Sequence, residues 1–159
     1  MTDNSALLRV DAGRDGASCW IEATNVGPTT VHVFDSDQMP YLLQDRDALL
    51  VLHGMHEPPA NFDYWGIEIP LTKPLAPGEA VRGAVGLDPL WVHSHYGTGD
   101  RFVGLAHPTR IRTVVGWGHV PLDDAALAST NVHLVCQEWQ RLAIGPELSL
   151  HSLDDRPRR

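Results

Sequence analysis

Basic residues are in short supply. Lysine and arginine together number 12 against 20 aspartates and glutamates, a formal net charge of −8 over 159 residues. Binding along a nucleic-acid backbone needs a surplus of cations, and so does binding to an anionic membrane surface. The sequence therefore predicts no nucleic-acid partner and no membrane partner. Cysteine is scarce as well, with only Cys19 and Cys136, too few for the disulfide framework of a small secreted domain. No apolar run approaches the roughly 20 residues of a membrane-spanning helix. The opening "MTDNSALLRVDAG" has neither the basic start nor the apolar centre of a secretory leader. Together these absences predict a cytoplasmic chain with reduced thiols.

Other signatures are missing. There is no G-x-S-x-G nucleophile elbow. Gly97, Gly99 and Gly104 in "YGTGDRFVG" miss the dinucleotide-binding spacing. Asp35, Asp37, Asp45 and Asp47 do not fall at the intervals of a calcium-binding EF-hand loop. No internal repeat, low-complexity tract or linker divides the chain, so residues 1–159 are expected to form one β-sandwich domain with short disordered termini.

What is present is strand alternation. "SCWIEATN" sets Cys19, Ile21 and Ala23 on one face against Trp20, Glu22 and Thr24. "TTVHVFD" follows with Val31 and Val33 inward, and "ALLVLHG" is apolar throughout, as in a strand buried on both faces. "YWGIEIPL" alternates Trp65, Ile67, Ile69 and Leu71 against Tyr64, Glu68 and Pro70, and "AVRGAVGLD" carries Val81, Val85 and Leu87. "RIRTVVGWGHV" and "NVHLVCQEW" read as two further strands, the latter with Cys136 as a small buried hydrophobe beside Val132 and Leu134. Only "PLDDAALAS", residues 121–129, reads as a helix, with Asp123 as its N-cap. Seven to nine short strands with one short helix predict an all-β, antiparallel sandwich.

Two turns are more specific. An early strand ends in "TNVGP" and the next begins at once; later, "LAPGEAV" introduces another strand. Asn25 and Gly27 suit a tight turn, and Pro77-Gly78 suits a type II turn. Over residues 18–34 and 71–88 the pattern resembles bacterial immunoglobulin-like and fibronectin-like sandwich modules, including the CARDB-type and intracellular-proteinase-inhibitor-like groups. The resemblance implies an immunoglobulin-like β-sandwich. Such modules serve in adhesion, in inhibition or as appendages to enzymes, so it does not select a function.

The candidate chemistry centres on "WVHSHYGTGD". On a strand His93 and His95 share a face with Trp91, their Cα atoms about 6.5–7 Å apart, while Ser94 points the other way. Both imidazoles can then reach one metal ion, with His119, His53, His56 or Asp100 completing the set around zinc, iron or manganese. The arrangement is similar to cupins, in which H-x-H precedes an acid and a later strand supplies another histidine. In this chain the acid is Asp100 rather than glutamate. Nine histidines on a strand-rich surface also place two at this interval by chance. "HGMHEPP" is read as an irregular loop closed by prolines, with copper ligation as the alternative.

Five tryptophans complete the inventory. Trp65 and Trp117 follow inward patterns, whereas Trp20 and Trp139 fall on polar faces, where an indole can anchor a partner or pack under a loop. Two functions emerge. The first is a non-catalytic cytoplasmic sandwich that binds a protein partner or a small ligand through Trp91, His93 and His95. The second is a cupin-like metal-dependent enzyme or metal-binding protein using His93, His95, His119 and Asp100. "NVHLVCQEW", read as an open edge strand without proline or lysine, also predicts a homodimer through strands or sheet faces.

Overall fold

The computed structural model describes residues 7–45, 48–55, 71–87, 91–92, 101–102, 109–122 and 132–149. The alternation of "SCWIEATN" becomes strand β2 (Ser18–Asn25), with Cys19, Ile21 and Ala23 buried as expected. It forms a hairpin with β1 (Leu8–Asp15), in register from Leu8 opposite Asn25 to Asp15 opposite Ser18. On its other side lies β7 (Ala80–Gly86), which completes a three-stranded sheet in the order β1-β2-β7.

The larger sheet is built on β10 (Arg110–Gly118). Its order is β4 (Tyr41–Asp45), β5 (Ala48–His53), β10, β3 (Val31–Asp35) and β6 (Leu71–Leu75). Two short strands, β11 (Arg141–Ile144) and β12 (Leu148–Ser149), also pair with β10. The registers show how one strand takes four partners. β5 runs beside Arg110–Val115, and β3 takes over on that same side at Trp117 and Gly118. β11 and β12 occupy the opposite side. The β5–β10 pairing is parallel, so the sheet is mixed and the expectation of a purely antiparallel sandwich is corrected. Alternation cannot distinguish the two, because it reports burial and not the direction of a neighbour. Parallel partners need a long crossover, and the chain between His53 and Arg110 supplies its length. A two-stranded ribbon, β8 (Trp91–Val92) with β9 (Arg101–Phe102), forms a third sheet of its own, with β8 close to β4.

The two sheets pack face to face. Val31, Val33, Leu49, Val51, Ile111 and Trp117 of the larger meet Leu8, Val10, Cys19, Ile21 and Ala23 of the smaller. Trp117 is fully buried, as its pattern predicts. Leu71, expected to face inward, is 64% exposed at the start of edge strand β6, while Leu75 of the same strand reaches the core.

"NVHLVCQEW" is corrected from strand to helix: Val132–Trp139 form α1. Val132, Val135, Cys136 and Trp139 lie at i, i+3, i+4 and i+7, so the apolar residues satisfy helical periodicity as well as the two-residue one. Cys136 is buried as expected, but on a helix rather than a strand. The carbonyl of Cys136 accepts from the Gln140 amide, closing the last turn. Pro121 and Leu122 are irregular, and the rest of the helix expected at 121–129 lies outside the described residues.

The edge beside β10 is therefore β11–β12, and it is interrupted. Between the Val114–Ile144 and Ile111–Leu148 pairs, Arg112 and Thr113 face three residues, Gly145, Pro146 and Glu147. This is a β-bulge. The Gly145 amide donates to the Thr113 carbonyl at 2.9 Å, and Thr113 Oγ1 donates to the Pro146 carbonyl at 3.0 Å. A bulge with a proline discourages strand-to-strand pairing at an edge, so of the two routes expected for a homodimer, strands or sheet faces, the one through an open last strand loses its strand.

The two turns singled out by sequence meet in space. Glu79 donates its amide to the Ala76 carbonyl at 2.9 Å across Pro77-Gly78, with Gly78 at φ 86°, as a type II turn requires. The Gly78 amide donates to the Asn25 carbonyl at 2.8 Å, and the Asn25 amide to the Glu79 carbonyl at 2.9 Å. The buried Asn25 side chain donates to the carbonyls of Leu75 and Thr29, each at 2.8 Å, and accepts from the Gly27 amide at 3.0 Å.

Candidate binding face

Of the residues the sequence puts forward, His93, His95 and Asp100 lie outside the described residues, as do His56 and Trp65. The Trp91 backbone pairs with Phe102 in the ribbon. His119 stands exposed just past β10, its ring edge-on to the Trp117 indole with centroids 5.0 Å apart. His53 is buried at the end of β5, where its Nε2 hydrogen-bonds the Phe34 carbonyl at 2.8 Å and ties β5 to β3. Burial pushes its pKa below the ordinary histidine value; the Phe34 carbonyl opposes that shift, Lys73 adds to it and Asp35 opposes it. Among the described residues no three histidine, cysteine, aspartate or glutamate side chains gather as a metal would require.

The remaining candidates are committed to packing. Burial pushes the Cys136 thiol pKa up to about 11, and it raises that of the Cys19 thiol too, where Arg14 pulls the other way. The Trp20 ring lies under the Arg82 guanidinium, 4.7 Å from its centroid. Trp139 sits edge-on to Phe34, centroids 5.0 Å apart, and its Nε1 donates to the Val120 carbonyl.

The outer face of the larger sheet, turned away from the smaller one, is a site that sequence reasoning did not find. Residues paired across neighbouring strands point to one face, so the registers define its rows. One row runs Tyr41, Leu52, Val114 and Ile144 across β4, β5, β10 and β11. The next runs Leu43, Leu50 and Arg112. α1 covers one end, where Cys136 and Trp139 join Phe34, Tyr41, Leu52 and Met55 in a second apolar cluster. The helix end is fastened by Gln140, which accepts from the Met55 amide at 2.7 Å and donates to the Met55 carbonyl at 2.9 Å. That side chain packs against Gly116; a Cβ there would collide with it.

Beyond the helix the face is open. Leu142 is 50% exposed and Ile144 is 71% exposed. Leu50 and Val114 form a ridge between two shallow grooves. One, of about 330 Å³, is bordered by Arg112, Ile144 and Glu147. The other, of about 380 Å³, is bordered by Met55, Gln137, Gln140 and Leu142. The arrangement suits docking: an apolar centre, amides at one end, and a cation with a carboxylate at the other. The signal was present in "RLAI", where Leu142 and Ile144 alternate with the buried Ala143, but it was hidden by reading the preceding residues as the last strand.

Compared with protein families, characterised proteins and solved structures, the chain matches none.

Proposed function

We propose that this chain is a non-catalytic β-sandwich binding module, of the immunoglobulin-like or fibronectin-like kind, that docks a protein partner on the outer face of its larger sheet. The carrying observation is the Leu142–Ile144 pair, exposed beside the Leu50–Val114 ridge. Large apolar side chains grouped with convergent polar groups mark interaction sites more often than isolated ones do. The kinship is supported by the "TNVGP" and "LAPGEAV" turns, which Asn25 joins directly. A cytoplasmic setting is supported by two free, buried thiols. No described helix is long and apolar enough to cross a membrane.

The test is capture by immobilised protein, compared with two surface variants. Ile144→Asp places a charge in the face, and Val26→Asp places one at an exposed residue of the Asn25 turn. Partners held by the wild type and by Val26→Asp but lost by Ile144→Asp are expected. If every retained protein ignores Ile144→Asp, the outer face is not the binding surface.

A further inference from the structure

Resting on that reading of the face, we propose that its partner is a second copy of this chain, related by a two-fold axis that runs along the strands between β10 and β11. An isologous interface must be self-complementary, because each residue meets the residue that its own partner meets. The register of β10 against β11 and the bulge meets that demand. Val114 lies opposite Ile144, so a two-fold between the strands lays Val114 on Ile144 of the second copy and Ile144 on its Val114. One step further along, Arg112 of β10 faces the bulge that carries Glu147, and both side chains border the same groove. The same rotation brings Arg112 over Glu147 of the second copy and Glu147 over its Arg112. Cation meets anion twice, and apolar meets apolar twice.

Glu147 already lies 3.6 Å from Arg110 within the chain, with its side chain 53% exposed. A carboxylate has acceptor sites for two guanidinium groups, so the internal pair and the intermolecular one coexist. The bulge with Pro146 disfavours continuous pairing of the β11–β12 edge that borders the face, so at this border association goes through the face. The net charge of −8 per chain repels the two copies at long range. At about 0.15 M salt the screening length is only about 8 Å, so the contacts within the face decide the outcome.

Light scattering after size exclusion at physiological salt reads the result directly. The wild type is expected at twice the 17.5 kDa of the chain. Ile144→Asp, Arg112→Glu and Glu147→Arg are each expected to weaken association at least ten-fold. Mixing Arg112→Glu protein with Glu147→Arg protein is expected to restore the dimer, because the mixed pair has two cation–anion contacts where each variant alone has none. Recovery on mixing also shows that both variants are folded. A wild type of single-chain mass at high micromolar concentration overturns the proposal, and so does a dimer insensitive to all three substitutions or a failure to recover on mixing. A monomeric wild type that still captures an unlike protein dependent on Ile144 removes the second copy and leaves the binding face; loss of both removes the face as well.

Discussion

Asn25 has no exposed surface and makes hydrogen bonds with five backbone groups, those of Gly27, Thr29, Leu75, Gly78 and Glu79. Its side-chain amide donates to the carbonyls of Thr29 and Leu75 and accepts from the Gly27 amide, which takes a donor group and an acceptor on one short side chain. Asn25→Ala leaves those carbonyls without that donor in the interior, at a cost of about 2–3 kcal/mol. For a chain of this length that corresponds to a fall of roughly 5–10 °C in Tm. Asn25→Asp is expected to be at least as damaging, since it turns an acceptor toward the carbonyls of Thr29 and Leu75. Thermal unfolding followed by circular dichroism checks both; an alanine variant that melts with the wild type would show that the turns hold without their shared side chain.

At the level of elements, α1 rests on the larger sheet because Gly116 has no side chain to hold it away. Gly116→Val is expected to displace Gln140 from Met55 and to cost about 1–3 kcal/mol through overpacking. Hydrogen exchange would localise the damage: faster exchange in α1, with β1, β2 and β7 unchanged. Equal acceleration in both sheets would mean that the helix and the sheets open as one unit. The same region shows where the sequence was legible. Alternation placed β2, β3, β7 and β10 correctly, because a half-buried strand must put its apolar residues at every second position, and the unbroken apolar run of "ALLVLHG" placed β5. Alternation missed β1, where only Leu8 and Val10 are firmly buried and the remainder is half-buried or exposed. It misread α1, because eight residues with closely spaced apolar positions fit both periods. The outer face was illegible for a different reason: its rows run across four strands, and only the register of β10 brings Leu50, Val114 and Ile144 together. The histidine pair was easy to see, but it lies outside the described residues.

At the scale of the whole molecule, stability should fall in mild acid. Burial holds the His53 imidazole below its ordinary pKa, and burial shifts His32 in the same direction. As pH drops through about 6.5, the unfolded chain takes up protons that the folded chain resists. The contribution is full above that value and is lost as pH falls toward the lower folded values. Urea unfolding at pH 7.5 and at pH 5.5 should show a larger loss for the wild type than for His53→Gln. Equal losses would remove His53 from the account, whatever the variant does to stability at neutral pH.

The position of β10 has a consequence for synthesis. It is the strand on which β3, β5, β11 and β12 all pair, yet it spans Arg110–Gly118, far along the chain from β5, which ends at His53. On a ribosome adding about 5–20 residues per second, β5 waits on the order of seconds before its parallel neighbour exists. The β1–β2 hairpin is closed by a local turn and need not wait. For that interval the nascent chain displays the apolar faces of β3 and β5 to whatever surrounds the exit tunnel, and escape from aggregation rests on chaperones or on the hairpin shielding them.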